Sequence, residues 1–190
     1  TAWALDYLMR LGRIKRVLVI GPLSILRSAW LDEFHKSFPW MEVTVLHNTD
    51  PIRRRRLAQS ATPIHITNYS GVEVCFEELM ANDYDVIVID ESTALKKHGT
   101  RRWRFMRPLA EKVRFLWFLT GTPAVQYPVD AYGQVKLMFP AWDMSETRFK
   151  ALTMVQHSKY RWVARDTAAQ TVYDVMQPAI RVAKRDVLNA

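Results

Sequence analysis

The sequence predicts an α/β fold, a parallel β-sheet flanked by helices on both faces. Three observations carry that expectation. Short β-branched runs alternate with helical stretches of about ten residues, the pattern of right-handed βαβ units. One run, Val86-Ile87-Val88-Ile89, is continuously apolar, as a strand buried on both faces must be. It ends in two acids, Asp90-Glu91, and open α/β sheets bind ligands at the carboxyl ends of their strands.

Taken in order, Ala2 to Met9 is helical in composition, with Gly12 as its stop. Arg16 to Ile20 reads as a buried strand broken by Gly21-Pro22. Ser24 is then a candidate N-cap for a helix in which Ile25, Leu26, Ala29, Trp30, Phe34 and Phe38 recur at helical spacing, ending before Pro39. A strand from Glu42 to Leu46 follows. Asp50-Pro51 has the form of an N-cap followed by proline at the first helical position, which places Arg53 to Arg56 on a helix. Ile64 to Thr67 is a third strand, Val72 to Met80 a short helix, and Asp85 to Ile89 the fourth strand. Arg101 to Ala110 fits the next crossover helix and Val113 to Leu119 the fifth strand, closed by Thr120-Gly121-Thr122-Pro123. Beyond Pro123 the pattern turns helical and irregular, with helices expected over Val129 to Met138 and Thr167 to Met176 and a last strand at Ile180-Arg181-Val182.

A chain of 190 residues that is 49% hydrophobic suits one substantial core, and no repeat or linker divides it. No apolar run approaches the ~18 residues of a membrane span, and no secretory signal pattern is present. The lone Cys75 cannot form an internal disulfide, which fits a reducing compartment, cytosol or nucleus. The five histidines, His65 and His98 among them, show no metal-ligand spacing.

The charge of +8, from 27 Lys and Arg against 19 Asp and Glu, favours a polyanionic partner. The surplus is concentrated in Arg53 to Arg56 and again across Lys96, Lys97, Arg101, Arg102, Arg104 and Arg107. The first cluster is open to two readings, a solvated helix face or a DNA contact. In the second, Trp103 and Phe105 interleave with the basic residues, and core burial is the favoured reading for the aromatics.

Asp90-Glu91 and the Thr-Gly-Thr-Pro turn together point to nucleotide chemistry. In P-loop NTPases an aspartate at such a strand end helps hold Mg²⁺ on the phosphates, and a neighbouring acid can orient or deprotonate the attacking water. Read in order, the chain presents Leu18-Val19-Ile20-Gly21-Pro22-Leu23-Ser24 with Trp30 and Glu33 behind it, Ile66-Thr67-Asn68-Tyr69, Asp90-Glu91-Ser92-Thr93-Ala94-Leu95-Lys96, and Leu119-Thr120-Gly121-Thr122-Pro123. This series resembles the first RecA-like lobe of superfamily II helicases of the DEAD/DEAH-like kind, specifically the Swi/Snf-type ATPases, with the four segments as motifs Ia, Ib, II and III. Ile180 to Leu188 is similar to the segment with which that lobe ends, so the resemblance spans nearly the whole chain. The short spacing between motifs looks more like compact phage and bacterial members than the eukaryotic remodellers.

The resemblance implies a role for each motif. Asp90 and Glu91 are the catalytic acids, Asp90 holding Mg²⁺ through water, and ATP is the nucleotide. Thr120, Gly121 and Thr122 border the nucleotide site and couple it to nucleic-acid binding, while Gly121 and Pro123 also suffice to end a strand. Pro22, Leu23 and Ser24, with Thr67, Asn68 and Tyr69, contact nucleic-acid phosphates, and Lys96 falls where the family also has a lysine. Ser24 as a plain helix cap is the competing account, and the helical phase of Trp30 suggests core packing. Two departures stand out: Gln126 replaces a family asparagine, and Lys97 stands where many relatives carry asparagine.

Nothing matches the Gly-x-x-x-x-Gly-Lys-Ser/Thr phosphate loop, and Thr1 to Met9 looks like the helix that follows it in relatives. The expectation is a RecA-like lobe of residues 1–190 lacking the P-loop strand, with a helical carboxyl-terminal portion from about residue 129. It would begin after the loop and end before the second RecA-like lobe, which supplies an arginine to the transferred phosphoryl. Such a chain alone is expected not to hydrolyse ATP. The implied parent activity is an ATP-dependent DNA helicase or translocase acting without sequence preference on duplex or branched DNA, in a phage-infected or bacterial cytoplasm, or in a nucleus if eukaryotic. Two alternatives remain open: a non-catalytic nucleic-acid-binding or regulatory module that has lost its phosphate loop, and an RNA helicase or restriction-type motor on the same scaffold.

Overall fold

The computed structural model describes residues 1–124 and 126–180. Five parallel strands, β1 (Val17–Gly21), β2 (Val43–Val45), β3 (Ile64–Asn68), β4 (Val86–Asp90) and β5 (Phe115–Leu119), form one sheet in the order β2-β3-β1-β4-β5. The register aligns Val17 with both Ile64 and Val86, and Val86 with Phe115. β1 and β3 are buried throughout and β4 as far as Ile89, whereas the edge strands β2 and β5 are half-buried. Among the central strands, β1 and β4 carry the continuous apolar runs expected of strands buried on both faces.

Alternate residues of each strand face opposite layers. Leu18, Ile20, Ile87 and Ile89 pack with Leu79, Trp103, Met106 and Leu109 of α5 (Phe76–Ala81) and α6 (Arg101–Lys112). Val17, Val19, Val86 and Val88 pack on the other face with Leu5 of α1 (Ala2–Arg10) and with Leu26, Trp30, Phe34 and Phe38. Gly12, at φ +64, closes α1 as expected: its amide bonds to Met9 O at 2.9 Å and that of Arg13 to Leu8 O at 3.0 Å.

The segment after β1 departs from expectation. Ser24 caps nothing; it lies within a 3₁₀ turn, Leu23–Ile25, followed by a π-helical stretch, Leu26–Leu31, and then α2 (Asp32–Ser37). A strict spacing of four residues drifts by about 40° per step on an α-helix. The wider π turn keeps Leu26 and Trp30 facing the sheet, while Ala29 is exposed. The helix expected over 72–80 begins earlier, as α4 (Tyr69–Val74), and resumes as α5 after Cys75 leaves helical geometry at φ −108, ψ 21.

Past β5 a third apolar cluster, including Ala131, Tyr132, Val135, Phe149 and Val172, joins a 3₁₀ turn (Pro128–Ala131), α7 (Tyr132–Met138), α8 (Glu146–Thr153) and α9 (Ala168–Val175). This portion is not wholly helical: an antiparallel hairpin, β6 (Met154–Ser158) and β7 (Arg161–Ala164), stands between α8 and α9. Ile180 lies in no strand, and the rest of the expected terminal strand falls outside the described residues. No described helix is long and apolar enough to cross a membrane.

Candidate functional site

The strand order makes the crevice. From β1 the chain moves outward to β2, returns through β3 and crosses to β4 on the opposite side of β1, so the carboxyl ends of β1 and β4 flank a topological switch point. Gly21 ends β1 there, and a Cβ on it would lie 3.4 Å from the Cβ of Asp90.

Asp90 is held from two sides. The indole Nε1 of Trp30 donates to Oδ2 at 2.8 Å, and the amide of Glu91 donates to Oδ1 at 2.9 Å. Beneath the turn, the buried Tyr69 hydroxyl donates to the carbonyls of Asp90 at 2.6 Å and Glu91 at 3.0 Å. Burial raises the Tyr69 pKa well above the usual phenol range, despite Arg102 lying 4.7 Å over its ring, so the hydroxyl stays a donor at neutral pH. Glu91 is exposed and left-handed, at φ 51 and ψ 53. That conformation is uncommon for a residue with a side chain and stores local strain.

After Glu91, a 3₁₀ turn (Ser92–Leu95) is tied to α7. The buried Ser92 hydroxyl donates to Gln134 Oε1 at 2.7 Å, and Gln134 Nε2 donates to the carbonyls of Pro123 at 2.7 Å and Asp130 at 3.3 Å. One buried amide therefore spans the acidic turn and the Thr-Gly-Thr-Pro turn. α7 can approach so closely because of Gly133, where a Cβ would meet Lys96 O at 2.6 Å.

Each oxygen of Asp90 accepts one hydrogen bond and keeps further acceptor capacity, which suits a hydrated Mg²⁺. Among the described residues no three His, Cys, Asp or Glu side chains cluster as a metal cage. Mg²⁺ here would draw its remaining ligands from water and substrate phosphates, its habit in phosphoryl-transfer sites, where it neutralises developing charge. The hollows elsewhere, about 400 Å³ beside Met9, Trp40 and Pro63 and about 480 Å³ beside Glu111, Leu116 and Met138, are not lined by either acid.

The other sequence candidates divide between the open edge and the interior. Leu119 pairs with Asp90, so Thr120 leaves β5 beside the acids; its hydroxyl accepts from the Thr122 amide at 3.2 Å, and Gly121 and Thr122 are exposed. Leu23 and Ser24 are exposed and Pro22 half-buried on the turn after β1. Thr67, Asn68 and Tyr69, expected to contact phosphates, instead have buried side chains. Asn68 caps α4 by accepting from Gly71 N at 3.1 Å, and Tyr69 braces the acidic turn, so both serve the frame. Lys96 Nζ lies 3.4 Å from Asp130 Oδ2 and 3.5 Å from Gln126 Oε1.

Charge proved a poor guide to exposure in the arginine helix, α3 (Pro51–Ala58). Arg54 is buried, donating to Leu46 O at 2.8 Å and to Asn68 Oδ1, and it helps to lower the pKa of His47, mainly set by burial. Trp103 and Phe105 are packed inward as favoured, with Trp103 Nε1 donating to Gly133 O at 2.9 Å and Phe105 edge-on to Phe76.

Residues 4–190 match the model of the SNF2-related domain. The chain belongs to that family. This SNF2-related domain is 28% identical over 131 residues to the human DNA annealing helicase and endonuclease ZRANB3, covering 65% of the chain and 12% of that protein. It is 31% identical over 126 residues to the SWI/SNF-related matrix-associated actin-dependent regulator of chromatin subfamily A-like protein 1 of Xenopus laevis, covering 66% of the chain and 13% of the relative. The fold is shared with the Sulfolobus solfataricus SWI2/SNF2 ATPase core solved in complex with dsDNA, at TM-score 0.72 and 23% identity, over 91% of this chain and 34% of that one. The domain is thus a RecA-like lobe spanning a small part of the length of these relatives.

Proposed function

We propose that this SNF2-related domain is the first RecA-like lobe of an ATP-dependent DNA helicase or translocase, in which ATP hydrolysis drives movement on DNA. The observation that carries the reading is the fixed pair Asp90-Glu91 at the switch point, braced by Trp30 and Tyr69. Asp90 holds Mg²⁺ through water; Glu91 orients or deprotonates the attacking water. Thr120, Gly121 and Thr122 border the nucleotide and couple it to DNA. Pro22, Leu23 and Ser24 track the phosphate backbone, Lys96 exchanges Asp130 for phosphate, and Thr67, Asn68 and Tyr69 support this edge from within. The names of the matched relatives, a DNA annealing helicase and a chromatin regulator, support DNA as the polymer. Retention of both Asp90 and Glu91 favours this reading over a non-catalytic nucleic-acid-binding or regulatory module.

The phosphate loop, the second lobe and its arginine belong, on this reading, to other parts of the natural protein. The compact motif spacing supports a phage or bacterial type, working in the cytoplasm; the animal relatives would make a eukaryotic version nuclear. The test is DNA-stimulated phosphate release by the natural protein, followed with malachite green. Glu91→Gln is expected to lower kcat by about 10²- to 10⁴-fold. The 190-residue chain alone is expected to give no multiple turnovers. Unchanged hydrolysis by Glu91→Gln would remove the catalytic assignment. DNA affinity that does not weaken with salt would remove the phosphate-tracking surface.

A further inference from the structure

The β6–β7 hairpin is absent from every role assigned above. Its base is fixed: Met154 is buried, Arg165 Nε donates to Ala151 O at 3.0 Å and to Met154 O at 3.2 Å, and the Arg165 amide bonds to Thr153 O. Its tip is free. Tyr160 is 85% exposed, between Lys159 and Arg161. Cross-strand pairing puts Trp162 opposite Gln156 and Val163 opposite Val155. Lys150 Nζ lies 3.8 Å over the Trp162 ring, while Val155 and Val163 remain exposed on the other face. From Arg148 to Arg165 the chain carries five Lys and Arg and no acid. An exposed two-stranded ribbon that keeps acids out and puts an aromatic ring at its tip is complementary to a polyanion with unstacked bases.

We infer that this hairpin is a second nucleic-acid contact, in which Lys150, Lys159, Arg161 and Arg165 meet phosphates and Tyr160 stacks on an unpaired base. Base–aromatic stacking needs only a π-face, so the contact reads strand opening and not sequence. A two-stranded ribbon also fits the width of a duplex major groove, but there the ring would have no exposed base face to cover. The inference rests on the DNA half of the proposed function and is independent of its ATP chemistry.

The experiment is fluorescence anisotropy with the 190-residue chain, a blunt duplex, and the same duplex carrying an unpaired extension of either polarity. Tighter binding to at least one extended DNA than to the blunt duplex is expected. Tyr160→Ala should weaken binding to that DNA by about tenfold, with Tyr160→Phe restoring it. Blunt-duplex affinity should change by less than about twofold, because Tyr160 makes no duplex contact. Because Tyr160 is exposed, both variants should keep the fold, and unchanged thermal unfolding is the check. Wild-type affinity of Tyr160→Ala for extended DNA, or equal losses on both DNAs, would overturn the inference while leaving the motor reading in place. Failure of the wild-type chain to bind either DNA at low salt would overturn both.

Discussion

The turns that follow β4 and β5 leave neighbouring strands at one edge of the sheet, yet they are held by different means. Asp90-Glu91 is fixed by an indole from one layer and a phenol from the other, with Ser92 locked into α7. Among the described residues, Thr120-Gly121-Thr122 keeps one local hydrogen bond of its own and is anchored through Pro123 by Gln134. Preorganisation is concentrated where charge must be positioned. Among the described residues the second turn has fewer hydrogen bonds to break, which suits an element that moves between states, and its buried tether, Gln134, is shared with the first turn.

Four measurements would break or sharpen that contrast. The largest effect is expected from Trp30→Ala, which empties a core position and removes the Asp90 donor, costing about 3–5 kcal/mol in denaturant titrations. Trp30→Phe should regain most of that stability without restoring the bond to Asp90; equal losses in the two variants would show that the hydrogen bond outweighs the packing.

Acid loads the sheet away from both turns, at β3. His65 in β3 is buried between Tyr84, at 2.5 Å, and Ser60, at 2.8 Å; burial, with help from Arg16, lowers its pKa to about 4. Between pH 6.5 and about 4 the unfolded chain therefore takes up a proton that the native chain refuses, so stability falls as pH falls through that window, by about 3 kcal/mol. Above pH 6.5 this contribution is level. His65→Gln should flatten the slope, and an unaltered slope would assign acid sensitivity elsewhere.

Gln134→Leu leaves the Ser92 hydroxyl and the Pro123 carbonyl without their partner, at a cost of about 2 kcal/mol. Amide exchange should quicken at Gly121, Thr122 and Ala124 in this variant. If those amides exchange at the wild-type rate, Gln134 does not tether the second turn. The smallest effect belongs to Thr120→Val, within about 0.5 kcal/mol, because it removes only the local bond to the Thr122 amide. A larger loss would show the second turn to be as constrained as the first.

Strands β1 and β4 were legible because burial on two faces imposes an apolar run, as in Val17 to Ile20 and Val86 to Ile89. The acids were legible because position at a strand end carries chemistry by itself. Trp30 was read by phase, which reports where a side chain is buried and not where its N–H points. Gln134 carried no signal, since a glutamine within a short helix reads as solvent-facing until α7 is seen to be docked through Gly133. Arg54 was hidden among identical neighbours, only one of which faces the interior. The β6–β7 hairpin escaped because most of it is exposed and its register slips between Gln156 and Ser158, which erases strict alternation.

The left-handed backbone of Glu91 carries a consequence for anyone improving this chain. Glycine would relax that position and leave the turn's carbonyls with Tyr69, so selection for heat tolerance alone would favour Glu91→Gly. A library ranked by melting temperature would then discard the carboxylate proposed to activate water, and its most robust members would be those best disarmed.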